Sequence, residues 1–253
     1  MQIIPENLIT VISADSEDAE FPATNMLLAH SRETWIADTG VYSALVTLAT
    51  IGAAANGLFF WYLLGDSATI TIYDDVSLGG SIIYGPAAVD LAITDSYYTN
   101  DVQIPGVWVE YTNPGTAHSA KIEITRSGAE PEIGMAWAGK RWEISQNPLY
   151  GLGRDYKDHA IAFDLGNGYE YLYGRNVQKV WPLSLELRGN PPTEFFTFLE
   201  MMERIAPNPV PVLLADNATP QYRYLIYGRV INVKPTQAKH NKSTISFTLK
   251  EYL

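Results

Sequence analysis

EIGMAWAGK, residues Glu132 to Lys140, decides how the rest of the chain divides. A Glu-Pro-Glu run leads in, small residues surround one tryptophan, and a lysine closes the stretch. As a strand, it sets Ile133, Met135 and Trp137 on alternate positions able to face a core. Gly134, Ala136 and Ala138 then form the opposite face, where small side chains let another backbone or layer approach closely. The stretch therefore predicts a closing strand and a seam, with Gly134, Ala136 and Trp137 as interface candidates.

Charge changes sign just past it. Residues 1–139 carry 17 acids against three bases, Arg32, Lys121 and Arg126, a net −14. Residues 140–253 carry 14 bases against 11 acids, a net +3, which leaves −11 for all 253 residues. The segment after it, SQNPLYGLGRDYKD from Ser145, has the Gly, Pro, Asn and charge content of a linker. The expected domains are therefore 1–145 and 146–253.

The first 145 residues read as short strands between turns. LITVIS, ATITIYDD, SIIYGP, GVWVEYT and KIEITRS carry strand patterns, and SIIYGP is expected to stop at its proline. ALVTLAT and LFFWYLL are separated by a turn ending in Asn56-Gly57, which predicts a hairpin. ATNMLLAH is expected to hold one helical turn. Many short strands without a long amphipathic helix define a β-sandwich of the jelly-roll kind.

The later residues read as a mainly antiparallel α+β module. HAIAFDLGNGYEYLYG predicts a hairpin, and WPLSLELRG sets Leu183, Leu185 and Leu187 on one face. The one convincing helix spans about 193–206, with Asn190 or Thr193 as its cap and Phe195, Leu199 and Met202 as its apolar stripe.

Several function classes are disfavoured. The absence of cysteine excludes disulfides, thiolate metal sites and a cysteine nucleophile. The negative charge argues against general nucleic-acid binding. Thr39 to Gly65 is 27 residues without Asp, Glu, Lys or Arg, long enough to span a bilayer, but polar residues break it and acids flank it, so two strands are expected instead. MQIIPENLITV lacks the basic start of a signal peptide.

Catalytic machinery is not recognisable. His30, His118, His159 and His240 show no metal spacing and are expected in loops or on the surface. GLGRDY at Gly151 lacks the strand and helix that a phosphate loop needs. Asp15, Glu17, Asp18 and Glu20 crowd one loop, which suits either calcium or a solvated acidic turn. Trp61 and Trp108 are expected in the core, while Trp35 is the candidate sugar-stacking ring. The expectation is a non-enzyme without a cofactor.

FPATNMLLAHSRETWIA, followed by NGLFFWYLLGDSATITIYDD and later by KIEITRSGAEPEIGMAWAGKRWEI, resembles the galactose-binding-like β-sandwich of tailed-phage virion proteins over roughly residues 5–145. The strand–helix–strand order and PVLLAD with YGRV make the later residues similar to the β-rich module of distal-tail and tail-tip proteins. The resemblance implies a virion structural protein, made in the host cytoplasm and placed in a homo-oligomeric ring between tail tube and baseplate or fibres. It implies contacts with other tail proteins and carries over no ligand site. The alternative is a carbohydrate- or receptor-binding module acting in host attachment; an enzyme acting on glycans ranks third.

Overall fold

A computed structural model describes residues 1–28, 33–91, 106–112, 115, 118–144, 155–157, 161–164, 170–173, 178–188, 193–206, 208–214, 224–239 and 242–252. The chain forms two compact units. The first is Gln2–Trp142 with Ala215–Leu225, and the second is Met1, Glu143–Leu214 and Ile226–Leu253.

The fold is mainly β. The first unit contains β1 (Gln2–Ile3), β2 (Val11–Ala14), β3 (Trp35–Ile36), β4 (Ser43–Thr50), β5 (Gly57–Leu64), β6 (Ser67–Tyr73), β7 (Ile82–Asp90), β8 (Gly106–Glu110), β9 (Ser119–Thr125) and β10 (Glu132–Gly139). Two antiparallel sheets build a sandwich. One runs β3-β10-β5-β8 and the other β2-β4-β9-β6-β7. Ala44, Val46, Leu48, Ile70, Ile72, Ile122 and Ile124 from the five-stranded sheet meet Trp35, Leu58, Phe60, Leu63 and Ile133 from the four-stranded one. These alternating positions are what period-two patterning buries.

The four-stranded sheet is buried on both faces. Its second face carries a row of aromatic rings, because the register sets Trp137 opposite Phe59 and Phe59 opposite Trp108. Phe59 stacks on Trp61 with ring centroids 5.7 Å apart and meets Trp108 edge-on at 6.4 Å. Trp108 Nε1 donates to Gln2 Oε1 at 3.0 Å. Double burial explains why β5 reads as the unbroken apolar run GLFFWYLL. Trp61 and Trp108 lie in the interior, as expected. Thr39 to Gly65 resolves into β4, a turn and β5, and among the described residues no helix is long and apolar enough to cross a membrane.

Three expectations for this unit need correction. First, β4 and β5 are not a hairpin. They lie in different sheets, and residues 51–56 carry the chain across the sandwich. Asn56 serves that crossing: its side-chain oxygen accepts from Arg141 N at 2.6 Å, its N–H bonds the Gly139 carbonyl, and its carbonyl takes Tyr111 N–H. Second, β7 runs through Gly85-Pro86, which an edge strand tolerates because no ladder bond is required outward. Third, the faces of β10 are partly reversed. Ala136 and Ala138 belong to the sandwich core with Ile133, while Met135 and Trp137 share the face of the aromatic row. Bulk decides this: Phe60 and Leu58 oppose Ala136 and Ala138, so only small side chains fit there. Alternation breaks at Tyr62, whose φ is +58° and whose pairing with Gly134 is absent from the ladder.

After β11 (Trp142–Glu143), the second unit holds β12 (Asp155–Lys157), β13 (Ile161–Asp164), β14 (Glu170–Tyr173), β15 (Gln178–Arg188), α1 (Thr193–Ile205), β16 (Val210–Leu213), β17 (Leu225–Lys239) and β18 (Lys242–Glu251). Its main sheet contains the run β16-β17-β18-β15-β12. β13 and β14 form the expected antiparallel pair. Leu183 and Leu185 are buried with Ile245, Phe247 and Leu249 of β18. The helix lies against that face, with Phe198 5.6 Å from Phe247. Its buried residues are Phe195, Phe198, Met201, Met202 and Ile205; the expected Leu199 is only half-buried. Thr193 opens the helix, and Asn190 lies outside the described residues.

Candidate functional site

One end of the sandwich gathers the polar groups. The last residues of β2, β3, β5 and β9 and the first residues of β4, β6 and β10 meet there, as the pairings Ala14–Val46, Ile36–Glu132, Leu64–Glu132, Ser43–Thr125 and Ser67–Thr125 require. Arg126 ties the two sheets together. Its N–H donates to the Tyr42 carbonyl at 3.0 Å, and its Nη1 donates to the Glu130 carbonyl at 2.9 Å and Glu132 Oε1 at 3.0 Å. Glu130 Oε1 accepts from Gly40 N at 2.9 Å, and Asp66 Oδ2 from Ser127 N at 2.6 Å.

These bonds favour the charged carboxylates. The Ser127 hydroxyl and backbone N–H hold Asp66 below its ordinary value, and the Gly40 N–H does so for Glu130. At neutral pH the rim therefore presents ionised oxygens fixed in place. Tyr42 rises from the same rim and is 51% exposed. Tyr62, near the end of β5, is 46% exposed. Fixed acceptors and exposed aromatic side chains on one rim suit a hydroxyl-rich ligand, which donates to the first and stacks on the second.

Trp35 cannot be that aromatic face. It is fully buried in the sandwich core, and its Nε1 donates to the Ser16 carbonyl at 3.1 Å. The two-residue strand β3 carries it inward, which a loop-like sequence context does not reveal. Gly134, Ala136 and Trp137 lie on β10, with Gly134 and Ala136 buried and Trp137 half-buried. The structure does not bring them together with the polar rim residues Arg126, Glu130 and Tyr42 into one open surface. Tyr42 carried no motif; only its position ahead of a strand pointed to a loop end.

The acidic loop is built around its own backbone. Asp15 Oδ1 accepts from Leu45 N, Glu17 Oε2 from Ala23 N and Asp18 Oδ1 from Glu20 N, each at 2.8 Å. Among the described residues, no group of three or more His, Asp or Glu is placed to hold a metal ion. The loop folds back through the 3₁₀ turn Ala23–Leu27, where the sequence suggested a helical turn. Asp74 and Asp75 likewise turn the chain, accepting from Ser81 N and Val76 N.

His118 departs from the surface position expected of it. It is fully buried and meets the Tyr111 ring edge-on at 5.8 Å. His30, His159, His240 and Gly151 lie outside the described residues.

No family model and no curated protein matches this chain. Among solved structures, it is similar to chitosan-binding module 1 of a chitosanase/glucanase from Paenibacillus sp. IK-5, at 16% identity and a TM-score of 0.38, over 52% of this chain and 96% of that one. It is also similar to a mutant GH29 fucosidase from Ruminococcus gnavus in complex with fucose, at 11% identity and a TM-score of 0.41. That match takes in 55% of this chain and spans only 27% of the fucosidase.

Proposed function

We propose that this chain is a non-catalytic carbohydrate-binding protein that takes its ligand at the loop end of the sandwich. The observation behind this reading is the exposed Tyr42, whose backbone is tied by Arg126 to the same rim that carries the fixed carboxylates Asp66 and Glu130. A sugar ring lies on the aromatic face while its hydroxyls donate to the rim carboxylates. Glycan-array binding of the purified protein tests it. Tyr42→Ala should weaken retention about two- to tenfold, the loss of one aromatic contact of about 0.5–1.5 kcal/mol, without lowering the melting temperature. Unchanged retention in that variant, or no retention of any glycan by the natural chain, overturns the reading.

A second reading is compatible with the first. The chain serves in host attachment as a structural subunit of a phage tail tip, in a ring with other tail proteins. The uneven charge supports it, because −14 against +3 permits complementary contacts between neighbours. Negative-stain images of the purified protein with tail-tube protein should show closed rings. A protein that stays monomeric with that partner, at both low and high salt, removes this reading.

A further inference from the structure

The second unit exposes a sheet face that carries a cluster of positive charge. Along β18, Ser243, Ile245, Phe247, Leu249 and Glu251 are buried, and the helix packs on that side. The alternate residues point the other way. Cross-strand register puts Pro182 opposite Thr248, Ser184 opposite Ser246 and Glu186 opposite Thr244 on this outer face, with Asp155 beside Val180 towards its other edge. The same register puts Arg229 directly opposite Lys250.

Two like charges in directly opposed positions repel one another, because cross-strand Cβ atoms stand only about 4.5–5.5 Å apart. A third cation joins them through a bulge. The register slips by one residue between Ile231 and Lys234, with Asn232 at a φ of +56°. The extra residue inverts the alternation, so Lys234 turns to the same side as Arg229. Without the slip, residue 234 would share the helix side with residue 230. Among the described residues, Arg229, Lys234 and Lys250 have no ion pair or side-chain hydrogen bond, and Arg229 and Lys234 are exposed. Ile231, Ser246 and Thr248 lie between them on the same face.

We infer that this face, centred on Arg229, Lys234 and Lys250, is a docking surface for the acidic first unit of a second copy of the chain. Charge complementarity selects this occupant: residues 1–139, most of that unit, carry −14, and among the described residues none of the three cations has an ion pair. The contact joins unlike surfaces, so it is heterologous and propagates from copy to copy until a rotation closes it. It is independent of the sugar reading and gives the assembly reading a specific interface.

Sedimentation velocity of the full chain at about 50 and about 500 mM salt tests the inference. Self-association should weaken at least about tenfold at the higher salt, since exposed charges are screened there. Arg229→Glu with Lys250→Glu should be monomeric at low salt, with the far-ultraviolet spectrum of the natural chain. Lys250→Thr adds a control against misfolding: it removes the like-charge pair, so the melting temperature should hold or rise while association falls. Association that survives in the double variant overturns the interface, even if rings still form. A natural chain monomeric at both salts overturns it too. So does a low-salt complex with duplex DNA or an anionic polysaccharide that Arg229→Glu with Lys250→Glu abolishes, without any self-association.

Discussion

Asn7 completes a strand edge that no strand covers. β3 pairs with β10 only at Glu132 and Ile133, so the backbone further along β10 needs another partner. Asn7 supplies one: its Nδ2 donates to the Ala136 carbonyl and its Oδ1 accepts from Ala138 N, both at 3.1 Å. Leu8 N continues the pairing onto the Ala138 carbonyl at 2.7 Å. Asn7→Ala leaves two strand groups without partners and should destabilise the protein by about 1–3 kcal/mol in urea titration. Tyr111 presents the opposite case. Its hydroxyl is buried and, among the described residues, has no hydrogen-bond partner. Tyr111→Phe should therefore be neutral or slightly stabilising in the same measurement, since it removes an unsatisfied polar group. Neither role was legible in the sequence. An asparagine in PENLIT reads as a turn residue, and only the fold brings residue 136 to it.

At the scale of elements, β10 and β5 carry the sandwich. Their strand character was legible because both are long, apolar and bounded by turn residues. Which sheet each joined was not, since Asn56-Gly57 suits a tight hairpin as well as a crossing. The faces of β10 were misassigned for a related reason: residue size alone cannot reveal that Phe60 already fills the space opposite Ala136. That pairing makes a prediction. Ala136→Leu overfills the core and should lower stability by about 1–3 kcal/mol, measured by chemical unfolding. Gly139→Ala should be at least as harmful, because an added Cβ would collide with the Glu6 carbonyl and Ile4. The bulge at Asn232 was beyond sequence reading altogether, and with it the face on which Lys234 lies. The loop-end site was half legible: the acidic loop stands out in the sequence, whereas the burial of Trp35 and the exposure of Tyr42 depend on the fold.

For the molecule as a whole, ionisation sets the pH range of stability. Asp66 and Glu130 have folded values depressed below the ordinary 3.8 and 4.5. Their contribution is present above those values and is lost as pH falls through the folded ones, because the unfolded chain binds the protons first. Tyr111 and Tyr227 are shifted upward by burial, with Tyr252 adding to the shift at Tyr227. Their contribution is complete below the ordinary value of 10 and is lost as pH rises beyond it. Melting temperature against pH should thus fall at both limits. Asp66→Asn should flatten the acid limb, and Tyr111→Phe the alkaline one.

The bonds of Asn7 also bear on how the chain reaches its fold. They join residues 129 and 131 positions apart. On a ribosome, the Asn7 segment emerges many seconds before its partner strand, at about 5–20 residues per second. Until then the five-stranded sheet can pair among β4, β6, β7 and β9, but the four-stranded sheet waits for β10. Closing so long a loop carries an entropic cost that local contacts do not share. Completion of the sandwich is therefore a late, high-contact-order event, and a nascent chain halted before residue 132 should expose its Asn7 segment to proteases that spare the finished protein.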